Sequence, residues 1–137
     1  MVDRDLSRRK LSALRDYVVQ LKAFRDVSAE EFVTKPALHM YAERYLHLAM
    51  ERVLDLAAQL IRGEGLSTPS TNAETFDILA RAGLMAPELG HRLRKWAGFR
   101  NILVHLYLDL DHHVSYHSIC HELGDLEEFA DLIEARL

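Results

Sequence analysis

The sequence predicts an all-α fold: an antiparallel helical bundle of about five main helices in one domain spanning residues 1–137. Three observations carry that prediction. Apolar residues recur at spacings of three and four along most of the chain, and no stretch shows the strict alternation of a half-buried strand. Capping residues, Gly and Pro punctuate the periodic segments where helices would start and stop. The connections left between them are short, as in a bundle. A chain of this length buries roughly two-thirds of its unfolded surface, so it needs no disulfide to fold.

The first helix is expected from about Leu6 to Arg25, with Leu14, Tyr17, Val18, Leu21 and Phe24 forming one stripe. Ser28-Ala29-Glu30-Glu31 has the pattern of a capping box, in which Ser28 accepts from a free backbone N–H and Glu31 reaches back. The short helix that follows should stop near Lys35, because Pro36 disfavours helical geometry in the residue before it. The longest helix is expected from Ala37 to Arg62, with Leu38, Tyr41, Tyr45, Leu48, Ala49, Val53, Leu56 and Leu60 facing the core. Gly63 and Gly65 supply the left-handed geometry that ends it. Leu66 to Asn72, with Pro69, is the clearest loop. Thr71 and Glu74 then cap a fourth helix that closes at Gly83. Pro87 suits the first turn of a fifth, whose stripe reads Leu89, Leu93, Trp96, Leu103 and Tyr107. The final helix, from about Val114, carries Ile119, Leu123, Leu126, Ala130, Ile133 and Leu137.

Composition narrows the function classes. The single Cys120 rules out an internal disulfide and fits a reducing compartment. Met1-Val2-Asp3-Arg4-Asp5-Leu6 has no apolar run and does not read as a signal peptide. No stretch approaches the roughly 20 apolar residues of a membrane span, so the expectation is a cytoplasmic protein with no membrane partner. The formal charge of −4 gives no global basic excess for holding nucleic acid. Two local basic clusters stand out: Arg4, Arg8, Arg9, Lys10 and Arg15 at the start, and His91, Arg92, Arg94 and Lys95 before residue 100. The tail is acidic.

The chemistry concentrates in Arg100-Asn101-Ile102-Leu103-Val104-His105-Leu106-Tyr107. Arg100 falls on the apolar stripe of Leu93, Trp96 and Leu103, where a charge needs a partner. Glu51 and Asp109 are the two candidate carboxylates, and a purely structural Arg–Glu pair stays open beside a catalytic role. Asn101 and His105 are four apart and share a helix face. Arg100 and His105 are five apart, about 140° on an ideal helix. Either the helix loosens, or Arg100 reaches round, or a second subunit completes the site. Gly98, a poor helix-interior residue, suggests irregularity or close packing here. His113, His117 and His121 line one face of the last helix, a spacing able to hold Zn²⁺ or Ni²⁺. No HExxH or CxxC pattern accompanies them, so no metal site is assigned and no cofactor is expected.

The octet resembles the Arg-x4-His signature of the HEPN superfamily, with Asn directly after the Arg and Tyr two past the His. It is most similar to the small HepT toxin branch, and Glu43-Arg44-Tyr45-Leu46-His47-Leu48-Ala49-Met50-Glu51 looks like that family's long helix. Leu106 stands where many of that family carry Asp. The resemblance implies a HEPN-like fold and a metal-independent endoribonuclease toxin. The 2′-hydroxyl of RNA would attack, His105 would do acid–base work, Arg100 would stabilise the phosphorane, and Asn101 would orient His105 or bind the phosphate. It also implies a homodimer, RNA (tRNA or mRNA) as substrate, and a minimal nucleotidyltransferase (MNT) antitoxin as partner. In that branch the residue matching Tyr107 receives AMP units from the antitoxin. Its non-catalytic members imply an alternative, a nucleotide-binding or protein-interaction module that cuts nothing.

Overall fold

The structure, a computed structural model, describes residues 3–137. Met1 and Val2, part of the stretch read above as no signal peptide, lie outside the described residues. Among these residues seven α-helices form the bundle: α1 (Arg4–Lys22), α2 (Ala29–Thr34), α3 (Pro36–Gly63), α4 (Asn72–Arg81), α5 (Pro87–His105), α6 (His112–His121) and α7 (Leu123–Glu134). Two 3₁₀ turns, Ala23–Asp26 and Tyr107–Asp109, follow α1 and α5. Among the described residues there is no strand, and no helix is long and apolar enough to cross a membrane.

Local chemistry sets most of the boundaries. Asp3 caps α1 by accepting from the Leu6 N–H at 3.0 Å, so the helix starts ahead of the expected Leu6. Ser28 caps α2 as anticipated, accepting from the Glu31 N–H at 3.1 Å, but Glu31 turns its carboxylate to Lys35 Nζ, also at 3.1 Å. At α4 Thr71 accepts from the Glu74 N–H at 3.1 Å, and the Glu74 carboxylate reaches back to the Ser70 N–H at 3.0 Å. α3 and α4 end alike. Gly65 (φ +68°) and Gly83 (φ +75°) take the left-handed conformation, and Leu66 and Leu84 donate back to the carbonyls of Ile61 and Leu79 at 3.0 Å. This is the paired closure that favours Gly just past a helix. Gly63, expected to share that role, is instead the last helical residue.

α3 lies at the centre, packed against α1, α2, α4, α5, α6 and α7. Its buried face is His39, Ala42, Glu43, Leu46, Ala49, Met50, Val53, Leu56, Ala57 and Leu60, together with Gln59 and Ile61. The expected stripe was out of phase over the first two turns: Tyr41 is 66% exposed, while Ala42 and Leu46 are sealed. The polar side chains of His39 and Glu43 occupy core-facing positions, which hid the true phase from an apolar count. The single final helix is also corrected. The chain breaks at Glu122 (φ −124°), giving α6 against α2 and α3, and α7 against α1 and α5. Ile119, Leu123, Leu126, Ala130 and Ile133 all remain buried across the break, which is why one stripe runs through two helices.

Candidate functional site

α5 carries Arg100, Asn101 and His105 along its last two turns, and it stays helical through all three. The helix runs unbroken through Gly98, and nothing packs closely there: the glycine is exposed, and a Cβ placed on it meets nothing within 4 Å. Arg100, with its side chain 17% exposed, sends Nε to Glu51 Oε1 at 2.7 Å and Nη2 to the same oxygen at 2.6 Å. Glu51 is therefore the partner that the stripe position demanded. Asp109, the other candidate, sits exposed in the turn Tyr107–Asp109, and among the described residues it makes no side-chain contact with Arg100. The far nitrogen, Nη1, faces Asn101 Oδ1 at a long 3.4 Å. One edge of the guanidinium is thus anchored and the other is turned towards the exposed Asn101, with N–H groups left over for an anion.

His105 is the last residue of α5 and is exposed, with no side-chain hydrogen bond among the described residues. The helix ends there without a Gly or Pro to end it. Leu106 takes φ −125° and ψ 37°, and Leu110 buries itself beyond the turn. Tyr107, expected on the α5 stripe, is accordingly off the helix and 41% exposed. Its hydroxyl donates to Glu43 Oε1 at 3.3 Å. Burial first, and the Glu43 charge second, push the phenol above its ordinary range.

Two residues at the site were not singled out from sequence. Glu43 is 2% exposed. Its Oε2 accepts from Ser115 Oγ at 2.7 Å and from His112 Nδ1 at 2.6 Å, so the carboxylate ties α3 to α6 as well as to the Tyr107 turn. His47 lies one turn before Glu51. Its Nε2 is 3.4 Å from Glu51 Oε1 and its Nδ1 is 3.2 Å from Arg44 Nη1. Burial lowers its proton affinity; Glu51 pulls it back up, and Arg44 and Arg100 push it down again. The available signal was phase. His39, Glu43, Leu46, Met50 and Val53 follow helical spacing on the buried face, and an acid in such a row is there to hold something.

Met40, Glu43, Arg44, His47, Leu103 and Tyr107 line an open groove of about 290 Å³ between α3 and the end of α5. Arg44 is exposed there and pairs with no carboxylate among the described residues. The two basic clusters seen in the sequence are partly paired with acids: Lys10 with Asp55, Arg15 with Asp131 and Glu134, Arg92 with Asp125 and Glu128, and Arg94 with Asp77. Within the groove and beside it, the guanidinia are Arg44 and, with one edge held by Glu51, Arg100.

The ladder His113, His117 and His121 is exposed. Among the described residues, the His/Glu group whose ligand atoms converge is elsewhere: His39, Glu43 and His112, within 4.8 Å of one another. His39 donates Nδ1–H to the Phe32 carbonyl at 2.9 Å, and its ring stacks on His112 with centroids 3.7 Å apart and planes 15° apart. An ion shared by two stacked imidazoles would lie out of both ring planes. The geometry reads as a hydrogen-bonded network that fixes Glu43.

The fold and site define a class: an all-α bundle presenting Arg, Asn and His from one helix end beside a tyrosine and an anchoring glutamate. The family model for HepT-like ribonucleases matches residues 14–133, and the chain belongs to that family. It is similar to the mRNA nuclease HepT of Shewanella oneidensis, with 34% identity over 90 residues covering 66% of this chain and 68% of the relative. It is also similar to the tRNA nuclease HepT of Aphanizomenon flos-aquae, 28% identical over 102 residues covering 74% and 69%. Among solved structures it superposes on the tri-AMPylated S. oneidensis HEPN toxin in complex with MNT antitoxin. There the TM-score is 0.88 with 26% identity, over 97% of this chain and 99% of that one.

Proposed function

We propose that this HepT-like protein is the toxin of a toxin–antitoxin pair and cleaves RNA without a metal ion, working as a homodimer. The observation that carries the proposal is the seating of Arg100. Its Nε and Nη2 are fixed on Glu51, while Nη1 is turned to the exposed Asn101 and the exposed His105 carries no side-chain hydrogen bond among the described residues, which leaves these groups for RNA. In this reading the RNA 2′-hydroxyl attacks the adjacent phosphorus. His105 moves the proton, and Arg100 offsets the charge gained by the non-bridging oxygens. The leaving 5′-oxygen takes a proton and a 2′,3′-cyclic phosphate remains. One imidazole serves both transfers poorly, so His105 of a second copy is assigned the other, with the two helix ends facing a shared cleft. An MNT-type nucleotidyltransferase is the expected partner, and Tyr107, exposed at the groove, is the residue it modifies with AMP.

A second reading takes the Arg100–Glu51 pair as a structural brace. The protein then binds nucleotide or the nucleotidyltransferase and cuts nothing. RNA cleavage in EDTA separates the two. Wild type should cleave and leave cyclic phosphate ends, and His105→Ala should lose about 10²-fold or more in rate while melting as wild type does. Equal cleavage by both proteins would remove His105 from the mechanism. Cleavage by neither, from folded protein free of AMP, would establish the binding module.

A further inference from the structure

We infer that the buried Glu43 carboxylate is the proton acceptor that turns the Tyr107 hydroxyl into a nucleophile towards the α-phosphate of a nucleoside triphosphate. The inference rests on the reading that Tyr107 is modified, and it names the group on this chain that makes the modification chemically accessible.

Three features point to it. Glu43 Oε1 receives the phenolic hydrogen at 3.3 Å, so the acceptor already touches the atom that must lose a proton. The other oxygen, Oε2, is held by Ser115 Oγ at 2.7 Å and His112 Nδ1 at 2.6 Å, which stops the carboxylate from swinging away. Glu43 and Tyr107 both border the groove of about 290 Å³, with Arg44 on its rim, so a triphosphate has space and a positive contact in front of the phenol. A neutral phenol is a weak nucleophile, and an adjacent base is one general way to activate it.

The step balances with the nucleotide as the only co-reactant. A Tyr107 Oη lone pair forms the bond to the α-phosphorus. The bond from that phosphorus to the α–β bridging oxygen breaks, and pyrophosphate leaves with the electron pair. The Oη proton passes to Glu43 Oε1 and from there to water in the groove. Nothing is oxidised or reduced. The product phenol carries no hydrogen to donate, so the contact tying the Tyr107–Asp109 turn to α3 is lost with the modification.

The competing role for Glu43 is a structural latch, and Glu43→Gln separates the two. The variant keeps side-chain shape and an acceptor oxygen but cannot take a proton. The test is the rate of AMP attachment to Tyr107, read by intact-protein mass, from ATP and Mg²⁺ with an MNT-type nucleotidyltransferase. Tyr107→Phe is the site control. Adenosine 5′-phosphorimidazolide, used without enzyme, serves as a second phosphoryl donor. Glu43→Gln is expected to slow attachment about 10²-fold at pH 7. Its rate should then climb about tenfold per pH unit towards pH 9, as phenolate replaces the missing base, against a shallower wild-type profile. Tyr107, His112 and His39 face Glu43, with Arg44 and His47 along the groove. Removing the Glu43 charge also relieves part of the upward push on the Tyr107 phenol, which eases phenolate formation in the Gln variant and adds to the expected climb. Ser115→Ala, which frees one side of the carboxylate with little change in packing, should slow attachment severalfold and decides the matter if the Gln variant does not fold. Attachment by either folded variant at the wild-type rate and pH profile would overturn the role of Glu43 and leave the modification standing. Wild type that takes up no AMP on Tyr107 from either donor would overturn the modification and this inference together.

Discussion

His47 sits between two guanidinia and a carboxylate, so its proton affinity reports the electrostatics of the whole site. Burial is the largest influence and lowers it; Glu51 opposes, and Arg44 and Arg100 add to the lowering. The expected titration midpoint, followed by ring-proton NMR, lies below the ordinary histidine value of about 6.5. Arg44→Ala should raise it and Glu51→Gln should depress it further. A midpoint above 6.5 in the wild type would mean that Glu51 outweighs burial and the two guanidinia at His47. The sign for stability follows. A histidine lowered on folding binds its proton first in the unfolded chain. Its contribution is intact above pH 6.5 and is lost as pH falls through that value towards the folded midpoint. At this scale the sequence was informative about Arg100, whose charge on an apolar stripe demanded a partner and found Glu51. For Glu43 it offered phase but no partners, because a carboxylate satisfied by Tyr107, His112 and Ser115 gathers its donors from 64 to 72 residues away.

Helices with a local stop signal were legible, and helices ended by tertiary contact were not. The stops at Gly65 and Gly83 follow from left-handed backbone that only those residues take cheaply. The end of α5 has no such marker, since Leu106-Tyr107-Leu108 is compatible with more helix. What ends it is the burial of Leu110 and the Asp111 side chain, which caps α6 by accepting from the His113 N–H at 2.9 Å. Gly98 shows how a residue type misleads without its surroundings. It suggested a distortion and turned out to be an exposed mid-helix position with open space at Cβ. The corollary is a prediction. Gly98→Ala should stabilise the fold by about 0.5–1 kcal/mol, the usual gain when alanine replaces glycine inside a helix. Thermal melting or urea unfolding measures it directly. A destabilised variant would show that the α5 backbone at Gly98 is crowded in the folded protein.

For the whole molecule, the question is what covers the surface around the site. Tyr41 and Met40 at the start of α3, Leu106, Tyr107 and Leu108 in the turn, and Val114 on α6 are six of the seven large apolar side chains left exposed among the described residues. Leu108 alone is 99% exposed. Scattered apolar residues need no explanation, but a concentration of them on the elements that meet at Glu43 is the mark of an interface. The helix geometry is compatible with the proposed homodimer: Arg100 and His105 leave α5 about 140° apart, and a second copy would bring its own pair to the opening. Leu108→Glu tests this cleanly, because a side chain with no intramolecular contacts can be charged without disturbing the core. Sedimentation should show wild type as a dimer and the variant shifted to monomer, with unchanged circular dichroism and a matching loss of RNA cleavage. If the variant stays dimeric with undiminished association, the copies meet elsewhere and this face is left to the nucleotidyltransferase. In that case Leu108→Glu should weaken complex formation with the partner while leaving cleavage by the free toxin intact, so one substitution, read by two assays, assigns the surface.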